Sequence, residues 1–318
     1  MKALVYIETK DGAPFKGSLE LISCAQSLGY EADAVIPLRD SEDPASMAVI
    51  GFDKVSSVKI PDTPTDDMIA DILAKEAKDG GYSLVLMAAS TLGKAIVPRA
   101  AAKLGAACIN DCSKIESEDG VLKISRPAYG GTVFQDIRIN TPTAVISVRP
   151  GSYAAPEDGE AKTPAEKEIA YDPECIRTAV KEIIREASED INLEEAKVIV
   201  SGGRGMGSEE DFAMLYDLAE AFGGAVGASR PVIESGWISR QHQVGQSGKI
   251  VNPDLYIACG ISGAVQHLAG MSGSKYIIAI NKDEDAPIFD VADLGIVGDV
   301  KKIIPILIES AKEFMAGR

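Results

Sequence analysis

Basic residues are scarce in this chain. Lys and Arg number 32 against 48 Asp and Glu, a net charge of −16. Nucleic-acid and anionic-membrane binders need a basic face, so neither surface is expected as a partner. The acidity reads first as solubility. Aromatic residues make up 5%, too few for platforms on which bases stack. No apolar run approaches the ~18 residues of a membrane span, so no membrane insertion is expected. The five cysteines, Cys24, Cys108, Cys112, Cys175 and Cys259, are odd in number and scattered. Cys108 and Cys112 stand four apart, but no second pair or histidine cluster accompanies them, so no metal site is expected. Reduced thiols in a cytosol-like compartment fit this pattern. Met1-Lys2 runs straight into strand-like ALVYIE, with no apolar segment and cleavage site, and a cytoplasmic location is expected. No GxSxG elbow and no GxxxxGK[ST] loop occurs, which argues against a serine hydrolase and a P-loop ATPase.

The 318 residues suggest two domains at ~150 residues each. In the first half, KALVYIE, ADAVIPL and YSLVLMAAS read as strands. TDDMIADILAKEAKDGG reads as a capped helix, and TLGKAIVPRAAAKLG as a helix with Pro98 inside it. Alternating strands and helices argue a parallel, doubly wound sheet. Two alternating runs around Asp119-Gly120 signal a hairpin. With TPTAVISVRPGSY they suggest an antiparallel part at the edge of the first sheet. Residues 152–174 read as an irregular connector, and residues 174–196 as helical or partly helical. The boundary is expected at about residue 190, giving domains over 1–190 and 191–318. The second domain shows five strands with helical crossovers, a Rossmann-like α/β pattern: KVIVSGG, GAVGAS, NPDLYIACG, SKYIIAIN and ADLGIVGD.

Open α/β sheets bind ligands at the carboxyl ends of their strands, and glycine-rich turns stand there in three places. GGRGMGSEED offers backbone N–H groups and the planar cation Arg204 to a phosphate. It is no clean dinucleotide fingerprint. Position 208 is serine, and SRP stands at the end of the second strand where an acid would hold a ribose. CGISGAVQHLAG again breaks a strand at glycine and opens a helix, with Ser262 as candidate N-cap and His267 in the first turns. A lone helix histidine is commonly structural, but here it can reach a ligand. The long connection VIESGWISRQHQVGQSGKIV joins the second and third strands, and such loops are often functional. In it, Val244 to Gly248 would bring N–H groups and the Ser247 hydroxyl to a flat ligand, while His242 reads as a surface histidine. No nucleophile–base–acid set is recoverable, so the chemistry looks supplied by a bound cofactor.

The stretch SGGRGMGS, GASRPVIESGW and QVGQSGKIVNPDLYIACGISGAVQHLAGMSGSKYIIAIN, continuing to GIVGD, resembles the α subunit of electron transfer flavoprotein. The likeness is close over about residues 198–300. The first half agrees in length, strand order and PRAAAKLGAACINDC. The resemblance implies a non-covalent FAD on the second domain and one-electron carriage rather than a stand-alone enzyme. It implies a heterodimer with a β subunit, whose own pocket holds AMP or a second FAD, and a first domain that serves as platform against that subunit. Donors would be flavin dehydrogenases such as acyl-CoA dehydrogenase, and the acceptor a quinone reductase. The alternative mode is electron bifurcation fed by NADH.

Carried over residue by residue, the resemblance sets Arg204 by the FAD pyrophosphate. Ser229 and Arg230 would lie at the flavin, with the Arg230 guanidinium over the rings. Val244, Gly245, Gln246 and Ser247 would line the isoalloxazine, with the Ser247 hydroxyl near N5. Many family members carry threonine there. Ser262, Gly263, Ala264, Val265, Gln266 and His267 would meet the phosphates and ribityl chain, and His267 the flavin C2 carbonyl. Asn281, Asp299 and Val300 would hold the adenosine end. Two rival readings are a stand-alone NAD(P)-dependent oxidoreductase and a nucleotide-binding module without chemistry. The absent ribose acid counts against the first.

Overall fold

The computed structural model describes residues 1–10, 12–39, 42–131, 133–169, 171–181 and 193–316. The chain divides into two compact units. One comprises Met1–Pro127 with Phe134–Ile184, the other Ala128–Val133 with Arg185–Arg318. The boundary expected near residue 190 lies outside the described residues.

In the first part of the chain the main elements are β1 (Lys2–Tyr6), α1 (Leu21–Ser27), β2 (Glu31–Leu38), β3 (Lys54–Lys59), α2 (Asp66–Gly80), β4 (Leu84–Ala88), α3 (Thr91–Leu104), β5 (Ala107–Cys112), β6 (Lys114–Glu118), β7 (Val121–Ala128), β8 (Val133–Arg138), β9 (Ala144–Val148) and β10 (Ala165–Glu166). Local chemistry sets the helix ends. Thr65 accepts from the Met68 N–H at the start of α2, two aspartates follow in its first turn, and Gly81 closes it at φ 66°. Ser90 caps α3, which passes through Pro98 and stops at Gly105.

Seven parallel strands form the sheet in the order β10-β3-β2-β1-β4-β9-β5. Alternation along β1 divides the core between its two faces. Ala3 and Val5 pack with Ile36 and Leu86 on one face, Leu4 and Tyr6 with Leu73 and Ile96 on the other. The hairpin forms as expected: β6 and β7 pair antiparallel, and Asp119 and Gly120 both take positive φ, the primed turn that matches strand twist.

The strand Ala144–Val148 corrects one expectation. It lies inside the parallel sheet between β4 and β5 rather than in an antiparallel edge. All five of its residues are buried, as a strand covered on both faces requires. Strands β6, β7 and β8 form a separate three-stranded sheet, with β6 and β7 antiparallel. Of the helix expected over 174–196, Pro173–Cys175 is one 3₁₀ turn and residues 176–181 have no regular structure. Residues 182–192 lie outside the described residues.

The second unit continues with β11 (Val198–Gly202), α4 (Glu209–Phe212), α5 (Met214–Ala221), β12 (Ala225–Ala228), α6 (Arg230–Glu234), β13 (Leu255–Cys259), α7 (Val265–Leu268), β14 (Ile277–Asn281), β15 (Leu294–Val297) and α8 (Val300–Ala316). Its five strands are all parallel, in the order β12-β11-β13-β14-β15. Leu215 and Leu218 of α5 and Ile304 of α8 cover one face through Val200 and Ile257. Val251, Met271 and Ile288, from connecting segments, cover the other through Ile199 and Tyr256. Among the described residues no helix is long and apolar enough to cross a membrane.

Candidate functional site

The strand order of the second unit reverses between β11 and β13, and a doubly wound sheet opens a crevice at that point. The loops leaving the two strands meet there backbone to backbone. Gly203 N–H donates to the Cys259 carbonyl at 2.9 Å, and Gly205 N–H to the Gly260 carbonyl at 3.0 Å. A Cβ on Gly203 would stand 2.3 Å from the Gly260 oxygen. One on Gly260, itself at φ +63°, would stand 2.7 Å from the Gly205 carbonyl carbon. Only glycine permits this approach. Ser208 then caps α4 by accepting from Asp211 N–H at 3.1 Å.

The connection after β12 forms the facing wall. Val244 N–H donates to the Ala228 carbonyl at 2.9 Å, which ties the loop to the strand end. Gly245, at φ +138°, lies against α7, and Gln246 N–H donates to the Gln266 carbonyl at 2.7 Å. A Cβ on Gly270 would stand 2.4 Å from the Gly245 Cα, so this contact too needs glycine. Gln243 Nε2 donates to Ser247 Oγ at 2.9 Å, which orients that hydroxyl within the loop. His242 corrects the surface reading. It is buried, with Nδ1 2.7 Å from the Val226 carbonyl, because the loop folds back over β12.

His267 is strongly perturbed by its burial at the site. Its side chain is buried, and its Nε2 lies 3.0 Å from the Tyr256 hydroxyl. Its Nδ1 is buried and has no hydrogen-bond partner in the described residues. Burial pushes the imidazole down to about 4, and the Val244 backbone opposes this without reaching hydrogen-bond geometry. The ring is therefore neutral near pH 7. Burial also pushes the Cys259 thiol up to about 12, which leaves it protonated and unreactive. Asn281 locks the far end, with Nδ2 donating to the Ile261 carbonyl at 2.9 Å and Oδ1 accepting from Asp283 N–H at 3.1 Å.

These segments enclose a cavity of about 590 Å³, within the range of small-molecule and cofactor sites. Twelve of the residues singled out in the sequence line it. They are Arg204 from the first loop, Ser229 and Arg230 after β12, Val244 through Ser247, Ser262, Ala264, Gln266 and His267, and Asn281. Four do not. Gly263 is buried behind the wall, where a Cβ would stand 2.2 Å from Ile288 N. The Val265 side chain is exposed outside the cavity, Val300 packs in the core, and Asp299 Oδ1 accepts from Lys301 N–H at 3.1 Å. Ser262 is no N-cap: α7 begins only at Val265, with Ala264 at the cap position, because Gly263 at φ +87° delays the helix.

The cavity also contains residues not singled out. Glu234 stands four after Arg230, and their side chains pair at 2.8 Å with both largely exposed. Gln243, Lys282 and Asp283 line it as well. The i, i+4 spacing was the available signal for Glu234, and adjacency to VGQSG for Gln243. Among the described residues no group of three His, Cys, Asp or Glu is placed to hold a metal.

Residues 3–174 match the family profile described as the electron transfer flavoprotein domain, and residues 192–272 the one described as the electron transfer flavoprotein FAD-binding domain. The chain belongs to the electron transfer flavoprotein family, as an α subunit. It is 40% identical to Protein FixB of Clostridium saccharobutylicum, over 98% of this chain and 96% of that one. It is 40% identical to an electron transfer flavoprotein subunit alpha of Thermoanaerobacterium thermosaccharolyticum, over 97% of each chain. A subunit alpha from Bacillus subtilis is 36% identical over 98% of each. The site fits the flavin that this family binds. Glycine loops bring N–H groups close, arginines supply positive charge, and the His267 imidazole, with one nitrogen that has no partner among the described residues, belongs to the lining.

Proposed function

We propose that this chain holds one non-covalent FAD in the cavity of its second unit and relays single electrons within a heterodimer with an electron transfer flavoprotein β subunit. Donors are flavin dehydrogenases of the acyl-CoA dehydrogenase kind, and the acceptor is a quinone reductase. The first domain, over residues 1–190, is the platform for the β subunit, whose pocket holds AMP or a second FAD. The observation that carries this reading is the cavity at the strand-order reversal, walled by crossed glycine loops and by a buried histidine with one unsatisfied nitrogen.

FAD supplies the redox chemistry, and the protein binds, orients and tunes it. Arg204 with the backbone of Ser262 through Gln266 takes the phosphates and ribityl chain. Val244 through Ser247, which line the cavity, would hold the flavin rings. Arg230 would stabilise negative charge on the reduced cofactor, and Ser229 would lie beside it at the flavin. His267, neutral at pH 7, serves as a hydrogen-bonding group rather than a cation. Asn281, Asp299 and Val300 are assigned to the adenosine end. A stand-alone NAD(P) oxidoreductase is disfavoured, since Ser229 and Arg230 follow β12 where an acid would hold the ribose.

The test is to purify the chain with its β-type subunit and count FAD per heterodimer from the visible spectrum. One FAD supports the simple carrier. Two, with NADH bleaching one, support the bifurcating mode. A folded complex without flavin overturns the reading.

A further inference from the structure

β12 is the outermost strand of the second sheet, so one row of its carbonyls faces away from β11. Carbonyls two residues apart share an edge, which puts those of Val226 and Ala228 in that row. Both residues are buried, and a buried carbonyl needs a partner. The loop that walls the cavity serves the two carbonyls in different ways. Ala228 receives the Val244 backbone N–H at 2.9 Å, within a parallel bridge between Ala228 and Gln243. In a continuing parallel ladder the N–H of residue 242 would serve Val226. The 3₁₀ turn Arg240–His242 has turned it away, and it donates to the Ser239 carbonyl at 3.2 Å.

The imidazole of the same residue takes that place, with Nδ1 2.7 Å from the Val226 carbonyl. A carbonyl oxygen has no proton to give, so Nδ1 carries it. The ring is buried, and water does not compete for the contact. His242 itself is outside the cavity lining, but the residues directly after it, Gln243 through Ser247, belong to that lining. Their far side is held on α7, where Gln246 N–H meets the Gln266 carbonyl. Their near side is held on β12 by one backbone bond and one imidazole. A shift of one residue along β12 would exchange the side chains that face the cavity. The imidazole opposes that shift, because its N–H reaches Val226 only in the register observed.

We propose that His242 is a positioning residue. Its Nδ1–H replaces a ladder rung on the β12 edge and so sets the register in which Val244 through Ser247 meet the bound cofactor. The link to the cofactor rests on the placement of FAD proposed above. FAD affinity then depends on a side chain that lies behind the wall and never touches the flavin.

This chain has two histidines, and in ¹⁵N-imidazole spectra of the heterodimer labelled in this subunit the His242 signals are those lost in His242→Asn. The expected wild-type result is a proton on Nδ1 of His242. A proton on Nε2 alone overturns the proposal, and this needs no variant to fold. His242→Leu keeps bulk but has no donor. His242→Asn sets its amide nitrogen as many bonds from Cα as Nδ1 and can donate to the same carbonyl. In His242→Leu the peptide over residues 243–249 should exchange hydrogen faster. FAD should bind about three- to ten-fold more weakly, the size of one neutral hydrogen bond. His242→Asn should recover most of both. A lower urea midpoint in His242→Leu with unchanged exchange and FAD affinity marks a histidine that only fills space, and overturns the proposal. Equal losses in the two variants overturn it as well. Faster exchange with unchanged FAD affinity separates the claims: the register holds, while the link to the cofactor is overturned together with the placement of FAD along this loop.

Discussion

Replacing Gly260 by alanine should cost much more than replacing Gly223, although both hold nearly the same backbone angle, φ +63° against +64°. Each substitution places a Cβ in the left-handed region, at about 1 kcal/mol. At Gly223 a Cβ meets nothing within 4 Å, so the cost stops there. At Gly260 it meets three backbone atoms: Gly205 C at 2.7 Å, Gly205 Cα at 2.8 Å and Met206 N at 2.9 Å. Comfortable carbon contacts begin near ~3.5 Å, and backbone held by two cross-loop hydrogen bonds yields poorly. Overpacking of this kind adds roughly 1–3 kcal/mol, for a total of about 2–4 kcal/mol. The single tryptophan, Trp237, packs edge-on to Phe212 in the second unit, so its fluorescence during urea unfolding reports on that unit. Gly260→Ala should lower the midpoint well below that of Gly223→Ala and should also weaken FAD binding. Equal midpoints would refute the claim that the two loops are in limiting contact.

Two further outcomes follow from charge. The His267 imidazole titrates at about 4 in the folded chain against 6.5 ordinarily, so on acidification the unfolded chain takes up its proton first. The stability tied to the neutral ring is complete above pH 6.5 and is lost as pH falls toward 4, by about 3 kcal/mol in all. Urea midpoints at pH 7 and 4.5 should converge less steeply in His267→Gln than in the wild type, and parallel lines would reject the burial argument. Arg230→Ala should lower the first one-electron potential of the bound flavin by roughly 40–90 mV, or release FAD. That range corresponds to about 1–2 kcal/mol for a largely exposed cation already paired with Glu234. Spectroelectrochemical titration with unchanged potential and FAD content would contradict it.

The glycine loops were legible because glycine marks backbone geometry that no other residue serves, and GGRGMG and CGISG each follow an apolar run that ends at glycine. Position along the chain was enough to put them at strand ends. The strand Ala144–Val148 reads as an edge from the sequence because its neighbours, β4 and β5, are supplied from elsewhere in the chain, and a five-residue run with four apolar residues does not say which strands flank it. His242 reads as a surface residue because nothing local tells that its loop folds back onto the Val226 carbonyl, 16 residues away. Ser262 has the chemistry of a cap, but the left-handed Gly263 comes between it and the helix. The link from Tyr256 to His267 joins a strand to a helix 11 residues on, across a turn whose path only the folded chain defines.

The crossed loops come from positions nearly sixty residues apart, and neither has its shape without the other. An unfolded chain therefore offers flavin no partial site, and the cofactor discriminates fully between folded and unfolded molecules. At free flavin a thousand times its dissociation constant, that linkage stabilises the second unit by about 4 kcal/mol. Flavin depletion would remove that stabilisation along with the redox activity, and leave a larger unfolded fraction open to proteolysis.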